Sequence, residues 1–309
     1  MVKTTCLGQT LVINPRGGGI AEYFMTINGK RQDIVYGYTE EEDADGCMGD
    51  VLCPFPGRVD NSEYDFEGEH YKLSGFQENR GNTLHAFVRE LEWQVEELEP
   101  GQISSSIEIG ENDFAERGYP FGFRLSLTYL LTDDGLKVQV LAINNGTKTA
   151  PFGIGFHPYF KIAGQVDEMV WKVPAKKVVE FDSTLRPTGK LLNTGDTTLD
   201  FRIANPIDGI VVDNCFTDLE RDEKTGRFTS FLANLTGTKK ISVWQDENFP
   251  YFQTYSADTI ADRNYRKAMA LEPQTCCGYA VNIEGLGLIK LKPSEEFKGE
   301  WGIRYQFIA

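Results

Sequence analysis

The sequence predicts an all-β fold, a large antiparallel β-sandwich. Its dominant hydrophobic period is two, which places alternate side chains on opposite faces of a strand. Clusters of Gly, Pro, Asn and Asp separate the short alternating runs, as turn residues do. Helical periodicity is sparse, and only residues 257–270 are compatible with a short helix. Many short strands joined by polar turns are typical of large antiparallel sandwiches.

The clearest predicted strands surround tight turns. Residues 64–73 predict a hairpin that turns at 67–68. Residues 123–131 carry large apolar side chains at the odd positions, and the alternation resumes after an Asp-Gly turn at 134–135. Two alternating runs around such a turn predict a β-hairpin with one buried face. Residues 297–307 place aromatic and aliphatic side chains on one face of a final strand.

Length and composition favour one folded unit. The chain has 309 residues, of which 40% are hydrophobic and 25% are charged, as in ordinary globular proteins with a sizeable core. Large all-β folds often exceed 200 residues as a single unit. Because no linker, repeat or low-complexity tract interrupts the sequence, we expect a single domain over residues 1–309.

The charge balance limits the possible partners. The formal net charge of −15 repels a phosphate backbone, so we expect no nucleic-acid partner. A neutral small molecule is the easier ligand to accommodate. No apolar run approaches the ~20 residues that cross a bilayer, and no secretory signal is visible, so we expect no membrane association and a cytoplasmic location. The oligomeric state is not predictable from these features.

The cysteines favour reduced thiols over a metal site. None of the six forms a C-x-x-C pair, and the adjacent Cys276 and Cys277 are poorly placed to bind one metal ion. In a cytoplasmic protein such residues are typically reduced. We therefore expect neither a zinc site nor disulfides, and Cys–His catalysis stays open although nothing pairs the two residue types.

Only three histidines are available for proton transfer near neutral pH. His70 lies among charged and aromatic residues of a predicted hairpin, which favours a solvated position. His85 follows a Gly-Asn turn, where a binding role and a purely structural role are equally compatible. His157 lies between two glycines that permit close backbone approach and Tyr159, whose ring could pack against the apolar face of a sugar. Function is slightly favoured over a core position for His157.

Three charged residues also stand out. Glu272 ends an apolar run and precedes a proline, so an ionised carboxylate there needs a partner or a raised pKa. Asp213 ends a similar run. Either could equally be a surface residue at the end of a strand. Arg58 lies in a rigid, turn-rich segment and could donate to several hydroxyl oxygens, or simply pair with the nearby Asp60.

Six short motifs, taken in order, resemble those of the aldose 1-epimerase family. The resemblance runs from about Leu11 to Phe307. The motifs are Pro56-Gly57-Arg58-Val59 with Asn61, Gly81-Asn82-Thr83-Leu84-His85, Gly118-Tyr119-Pro120-Phe121, Phe156-His157-Pro158-Tyr159-Phe160, Asp213-Asn214-Cys215-Phe216-Thr217-Asp218, and Leu271-Glu272-Pro273-Gln274-Thr275. The last of these resembles the E-P-x-T-C form of one bacterial branch.

The resemblance implies a galactose mutarotase-like supersandwich with a cleft across one sheet, and no metal or organic cofactor. It implies that Glu272 removes the proton of the anomeric hydroxyl while His157 donates a proton to the ring oxygen. The sugar ring opens, the C1–C2 bond rotates, and the ring closes on the other face. The residues that would bind the sugar are Arg58, Asn82, His85, Asp213 and Tyr159.

Three departures from the family pattern leave the sugar unnamed. Phe156 stands where many members have Asn, Ala86 where many have Gly, and Asn214 where several have His. The leading hypothesis is a mutarotase for a free aldohexose such as glucose or galactose. A hexose-6-phosphate 1-epimerase is the second possibility. It needs cations near the cleft to bind phosphate, and Arg58, Arg80, Arg89 and Arg117 are available, although the acidic charge balance argues mildly against it.

A non-catalytic carbohydrate-binding protein is the third possibility. It predicts a cleft in which His157 and Glu272 do not reach the same C1 position. The two residues are 115 positions apart in the chain. The sequence alone does not show that they meet.

Overall fold

Antiparallel strands form almost all of the regular secondary structure in this computed structural model, which describes residues 1–40, 46–260 and 264–307. The predicted all-β fold is confirmed. The strands are β1 (Val2–Cys6), β2 (Gln9–Ile13), β3 (Ile20–Ile27), β4 (Lys30–Asp33), β5 (Val51–Leu52), β6 (Arg58–Val59), β7 (Glu63–Phe66), β8 (Glu69–Lys72), β9 (Glu78–Asn79), β10 (Asn82–Leu84), β11 (Gln94–Glu99), β12 (Gln102–Ile109), β13 (Phe123–Thr132), β14 (Gly135–Ile143), β15 (Ala150–Phe152), β16 (Gly155–Phe156), β17 (Tyr159–Phe160), β18 (Met169–Lys172), β19 (Ala175–Phe181), β20 (Pro187–Asn193), β21 (Asn205–Pro206), β22 (Asp213–Leu219), β23 (Phe228–Asn234), β24 (Lys239–Gln245), β25 (Tyr251–Tyr255), β26 (Met269–Gln274), β27 (Ile289–Leu291) and β28 (Glu296–Phe307).

Helical structure in the described ranges is limited to short 3-10 turns, at Asp60–Ser62, Val88–Glu90, Ala115–Arg117, Val166–Glu168 and Thr194–Asp196. None of these described helices has the length or apolar character needed to cross a membrane. No disulfide joins the six cysteines, all of which lie within the described ranges.

The two hairpin predictions and the final-strand prediction are confirmed. Strands β7 and β8 form the first hairpin, and β13 and β14 form the second with Thr132 paired to Gly135. The odd residues of β13 are buried and the even ones are more exposed, which is the alternation that the sequence shows. Strand β28 is the predicted final strand.

The expected short helix at residues 257–270 is wrong for the part that the structure describes. Residues 257–260 and 264–268 form bends and turns, and 269–270 begin β26, whereas 261–263 lie outside the described residues. Strand β26 is buried along its whole length. A strand covered on both faces reads as a continuous apolar run, which periodicity alone does not separate from a buried helix.

Two large sheets form the body of the sandwich. The nine-stranded sheet has the order β11-β12-β13-β14-β28-β24-β23-β18-β21. The eight-stranded sheet has the order β20-β19-β22-β25-β26-β16-β5, with β17 also paired to β26. Smaller sheets include the N-terminal β1-β2-β3-β4 and the three-stranded β6-β10-β9.

Aromatic side chains join the two large sheets. The ring of Trp301 on β28 lies 4.8 Å from that of Phe156 on β16, and Phe228 on β23 lies 5.0 Å from Phe252 on β25. Burying a large apolar side chain contributes roughly 1.5–3 kcal/mol. Strands β22, β25 and β26 each have residues in this core. Because side chains alternate along a strand, the neighbouring residues of these strands lie on the opposite, outer face of the eight-stranded sheet. That outer face carries the candidate site.

Candidate active site

An open cleft of about 680 Å³ lies over the outer face of the eight-stranded sheet. Its volume is within the usual range of small-molecule sites. Strands β22, β25 and β26 supply its floor, and loops next to β6, β10 and β16 supply further walls. The polar residues that line it include Arg58, His85, His157, Asp213, Gln253, Glu272 and Gln274.

Strand register places Glu272 in this cleft. Glu272 pairs with Gln253 of the neighbouring strand, and its own neighbour Leu271 is part of the hydrophobic core. The residue is 1% exposed. Gln274 lies two positions further along the same strand. Its side-chain amide donates a 2.9 Å hydrogen bond from Nε2 to Oε2 of Glu272. This bond fixes the carboxyl group and leaves Oε1 for another partner.

His157 supplies that partner. It lies between β16 and β17, and its backbone is fixed at both groups: its N–H donates to the Asp50 carbonyl at 3.0 Å and its carbonyl accepts from Gly49 N–H at 3.0 Å. The ring of Tyr159 stacks against the imidazole with 5.0 Å between centroids. Nε2 of His157 lies 3.5 Å from Oε1 of Glu272. Folding therefore brings these two residues together in the cleft.

Burial favours the uncharged forms of this pair. It lowers the pKa of His157 to about 3, and the nearby charge of Arg89 acts in the same direction. Burial also raises the pKa of Glu272 well above its usual value; the charge of Asp213 adds to this, and the hydrogen bond from Gln274 opposes it. The backbone of His157 itself opposes this shift of the His157 pKa, although Nδ1 is buried without a hydrogen-bond partner among the described residues. Burial thus favours a pair with one proton and no net charge.

His85 is a second buried imidazole at the site. Its ring lies 5.7 Å from that of His157, with an interplanar angle of 87°. Gly57 N–H donates to Nδ1 of His85 at 3.0 Å, so the proton of the neutral ring resides on Nε2. Burial, followed by the proximity of His157, lowers the pKa of His85 well below its usual value. His85 is therefore a neutral hydrogen-bond donor on the cleft wall.

Asp213 and Arg58 both line the cleft. Oδ1 of Asp213 accepts a 2.8 Å hydrogen bond from Nε2 of Gln253. Burial raises the pKa of Asp213, and the charge of Arg58 is the strongest opposing influence. Arg58 donates from Nε and Nη2 to Oδ1 of Asn79, at 3.3 and 3.1 Å. No carboxylate lies within ion-pair distance of Arg58 in the described ranges, which leaves this cation available to ligand oxygens.

Two expected binding residues, Asn82 and Tyr159, lie outside the cleft lining. The side chain of Asn82 accepts from Asn61 N–H at 2.9 Å and donates to the Arg80 carbonyl at 3.1 Å, so it holds its own loop. Tyr159 is completely buried, and its hydroxyl donates to the Gly46 carbonyl at 2.8 Å. Its ring supports His157 from behind, where a sugar would not reach.

His70 has the solvated position that its surrounding sequence favours. It is an exposed residue on the β7–β8 hairpin, with Nδ1 2.8 Å from Oδ1 of Asp65. It does not line the cleft.

Sequence reasoning misses several groups in the cleft. Gln274 follows Glu272 by two residues, so alternation on a strand could have placed both side chains on one face. Gln253 could have been found only with the β25–β26 register. The buried ion pair between Nε of Arg89 and Oδ2 of Asp50, 2.6 Å apart, joins residues distant in sequence and leaves no local signal. No group of three or more metal-binding side chains occurs within the described ranges.

Comparison with known proteins agrees with the geometry. The family model for aldose 1-epimerase matches residues 6–304. The uncharacterized protein YihR of Escherichia coli is 28% identical over 97% of this chain and 95% of its own length. An aldose 1-epimerase of Streptococcus thermophilus is 23% identical over 94% of this chain and 89% of its own. The galactose mutarotase of the pig, Sus scrofa, is 28% identical over 56% and 52%, respectively.

Solved structures share the fold. A crystal structure of a GalM/aldose epimerase homologue from Caenorhabditis elegans superimposes with a TM-score of 0.86 at 22% identity, covering 100% of this chain and 99% of that one. A galactose 1-epimerase from Lactobacillus acidophilus superimposes with a TM-score of 0.78 at 16% identity, covering 98% and 92%. The family model covers nearly the whole chain. This chain is therefore a member of the aldose 1-epimerase family.

Proposed function

We propose that the protein is an aldose 1-epimerase that interconverts the α and β anomers of an unphosphorylated aldose through ring opening. One observation carries this proposal: a histidine and a carboxylic acid, His157 and Glu272, approach to 3.5 Å on the wall of an open cleft. Anomer exchange needs one group that accepts a proton and one that donates a proton to the same sugar.

The two residues divide the proton transfers between them. Glu272 takes the proton of the hydroxyl at C1, and His157 gives a proton to the ring oxygen O5. The electrons of the O1–H bond form the C1 carbonyl while the C1–O5 bond breaks. After rotation about C1–C2, O5 attacks the other face of the carbonyl, with the proton transfers reversed. Each positioned acid or base typically contributes ~10²–10⁴-fold.

The proton count of the pair suits this cycle. The neutral form favoured by burial and the form with Glu272 ionised and His157 protonated contain the same single proton. They differ only by its transfer across the 3.5 Å between Oε1 and Nε2. Sugar hydroxyls that hydrogen-bond to the charged form would shift the pair toward it. Binding of the sugar would thus favour the ionised form of Glu272, which acts as the base, and the protonated form of His157, which acts as the acid.

Other cleft residues would orient the sugar. We assign hydroxyl binding to Nε2–H of His85, to the guanidinium of Arg58 and to the free carboxyl oxygen of Asp213. Gln253 holds the other oxygen of that carboxyl group. A fixed orientation converts two proton transfers into steps within one complex, which is a large part of such catalysis.

Polarimetry tests the proposal. Freshly dissolved α-glucose and α-galactose are followed with and without enzyme, and the spontaneous rate at each pH is subtracted. We expect His157→Asn and Glu272→Gln each to lower kcat/KM at least about 100-fold, because each removes one proton-transfer group. His70→Asn is the matched control, because this exposed histidine does not line the cleft.

The mechanism is refuted if either cleft variant, folded by circular dichroism, keeps the activity of the control. A protein that binds these sugars without accelerating anomer exchange would instead be a carbohydrate-binding protein.

A hexose-6-phosphate 1-epimerase is the second candidate. The guanidinium of Arg58, which lacks a carboxylate partner within the described ranges, is the observation that favours it. Two other arginines are already engaged: Arg89 pairs with Asp50, and Arg117 donates to the Ser74 carbonyl and lies over the ring of Phe76. A single guanidinium compensates little of the charge of a dianionic phosphate. We expect glucose to be a better substrate than glucose 6-phosphate in the same assay.

A further inference from the structure

The cleft contains an ion pair that the proposed proton transfers do not use. Nε of Arg89 donates to Oδ2 of Asp50 at 2.6 Å, and the two side chains are only 15% and 16% exposed. Both residues line the cleft together with His85 and His157. Desolvation offsets much of the attraction within a buried ion pair, so such a pair is weak evidence for stability. A role at the site explains its place better.

Asp50 connects the pair to the proposed acid through the backbone. The N–H of His157 donates to the Asp50 carbonyl at 3.0 Å, and the N–H of Gly49 donates to the His157 carbonyl at 3.0 Å. The N–H of Asp50 in turn donates to the Cys47 carbonyl at 3.1 Å. Since both backbone groups of His157 are bonded to residues 49 and 50, a shift of Asp50 would also move the imidazole.

Arg89 connects the pair to the second histidine of the cleft. It lies in the 3-10 turn Val88–Glu90, four residues after His85. Its Nη1 donates to Oε1 of Gln77, and the carbonyl of Gln77 accepts from the N–H of Leu84 at 2.9 Å. The guanidinium therefore joins the segment of His85 to the segment that holds the proposed acid.

The charge of Arg89 acts on both imidazoles. Burial is the main cause that lowers the pKa of His157, and burial followed by the proximity of His157 lowers the pKa of His85. In both cases the guanidinium of Arg89 acts in the same direction. The main charge that acts on Glu272 is instead that of Asp213. The cation therefore affects the proposed acid more than the proposed base.

A cation beside His157 makes the protonated ring a stronger acid. A protonated imidazole next to a guanidinium loses its proton more readily, because like charges repel each other. In the proposed cycle that proton passes to the ring oxygen of the sugar. The same repulsion disfavours a second positive charge on His85.

We propose that Arg89 and Asp50 form a positioning pair for the acid–base centre. Asp50 fixes the backbone of His157, and Arg89 holds Asp50 in place while its positive charge stays beside the two imidazoles. Neither residue exchanges a proton with the sugar. The inference rests on the proposed function, because the pair acts on the same proton transfers.

The protonation of His157 also depends on groups that neighbouring elements place near it or near the ion pair. Glu90, for example, lies 3.9 Å from Nη1 of Arg89. Substitution of Arg89 leaves these groups unchanged, so a difference between variants reports on the guanidinium. They are Glu272, Tyr159 and His85 around His157, and Glu90, Arg16 and Cys47 around the pair.

The test combines kinetics with nuclear magnetic resonance of the full chain labelled at its three histidines. In Arg89→Gln we expect kcat for glucose exchange to fall at least about tenfold with KM changed less than about twofold, because a displaced acid slows proton transfer and not ground-state binding. The midpoint of the His157 titration should rise by about one pH unit, because the cation is gone. Arg89→Lys keeps a cation and should recover most of both changes.

Arg202→Gln is the control, because Arg202 forms an exposed ion pair with Asp200 at 2.8 Å and lies outside the cleft lining. The double variant Asp50→Asn, Arg89→Gln leaves no buried carboxylate without its cation, so it replaces Arg89→Gln if that variant does not fold. The same fall in kcat and rise of the midpoint are expected for it.

The positioning role is refuted if the folded variant keeps the kcat and the His157 midpoint of the control. It is also refuted if Arg89→Lys recovers neither quantity, since the arginine would then be needed for its shape alone. Absence of exchange by the wild-type protein would overturn the proposed function, and this inference with it. An unchanged midpoint in an active enzyme overturns the inference alone, so the two failures are distinguishable.

Discussion

Burial controls the chemistry of the individual side chains in the cleft. Glu272 and His157 are 1% and 6% exposed, and each is shifted toward its uncharged form. The hydrogen bond from Gln274 is the interaction that favours the ionised form of Glu272. It therefore shifts the pair toward the form in which Glu272 is ionised and His157 is protonated. Gln274 is therefore a positioning residue for the proposed base.

We predict that Gln274→Leu shifts the alkaline limb of the kcat/KM profile to higher pH. Removing the hydrogen bond raises the pKa of Glu272 further, so the pair keeps its single proton to a higher pH. The activity at pH 7 should fall roughly tenfold, because a hydrogen bond to a charged group is worth about 1.5–3 kcal/mol. Polarimetry with glucose between pH 5 and 9 measures both effects.

Gln253→Leu is the matched variant for this test. Gln253 donates to Asp213 rather than to Glu272. Its removal raises the pKa of Asp213 and so weakens the repulsion of Glu272 by that carboxylate. The alkaline limb should then stay in place or move to lower pH, and an upward shift in both variants would contradict the role given to Gln274.

The residues of the site differ in how far the sequence could identify them. His157 and Glu272 could be singled out because histidine is rare here and a carboxylate at the end of an apolar run is unusual. Tyr159 lies behind His157 and not in the cleft lining. The sequence does not show this, because an aromatic ring next to a candidate acid has the same sequence signature whether it touches ligand or supports the loop. Burial decides between these roles, and burial is a property of the folded chain.

At the scale of elements, the site depends on loops that pack closely on the strands. Gly57 precedes β6 with φ of +73°, and a Cβ atom placed on it would lie 2.5 Å from Cα of Gly278. This approach lets Gly57 N–H reach His85 and fixes the start of the segment that carries Arg58. The position requires glycine for both its conformation and its contact.

We predict that Gly57→Ala destabilises the protein more than Gly68→Ala and also lowers activity. Gly68 has φ of +86° but has open space around its Cβ position. Both variants bear the left-handed backbone cost of roughly 1–2 kcal/mol. Only Gly57→Ala adds a backbone clash. Urea unfolding of both variants measures the difference, and equal losses of unfolding free energy would contradict the contact.

Elements with strong alternation are predictable, and elements with two buried faces are not. The β13–β14 hairpin is evident in the sequence because one face is buried and the other is not. The start of strand β26 is also compatible with a helix because its burial is continuous. That Glu272 lies beside Gln253 follows from the β25–β26 register, which the sequence does not show.

At the scale of the whole molecule, the cleft lowers the stability of the fold. A carboxyl group whose pKa is higher in the folded than in the unfolded chain stabilises the folded state fully only below its unfolded pKa. That contribution is lost as the pH rises through the folded pKa. Because burial raises the pKa of Glu272, Asp213 and Asp50, neutral pH leaves these groups in an unfavourable environment.

We predict that Glu272→Gln stabilises the protein at pH 8 but not at pH 4. At pH 4 Glu272 is mostly protonated in both states, so the substitution removes no charge. At pH 8 the unfolded chain ionises Glu272 freely whereas burial opposes its ionisation in the folded chain. The substitution removes this cost, and we expect the free energy of unfolding to rise by at least about 1 kcal/mol, the energy of a roughly tenfold change in a protonation equilibrium. Urea unfolding at the two pH values measures the gain. The exposed Glu69→Gln is the control, and a gain that does not change with pH would contradict the prediction.

Sheet membership is the least predictable feature of the fold. Alternation shows which side chains of a strand face the core, but it does not identify the neighbouring strand. Strand β28 could be recognised from its aromatic residues, yet its place between β14 and β24 depends on contacts between distant parts of the chain.

The position of β28 inside the nine-stranded sheet affects how the chain folds while the ribosome synthesises it. About 150 residues separate the end of β14 from the start of β28. At translation speeds of roughly 5–20 residues per second, the nascent chain carries an uncovered edge on β14 for about 8–30 s. Such an edge can pair with other polypeptides. The emerging chain is therefore most prone to misassociation just before residues 296–307 leave the exit tunnel.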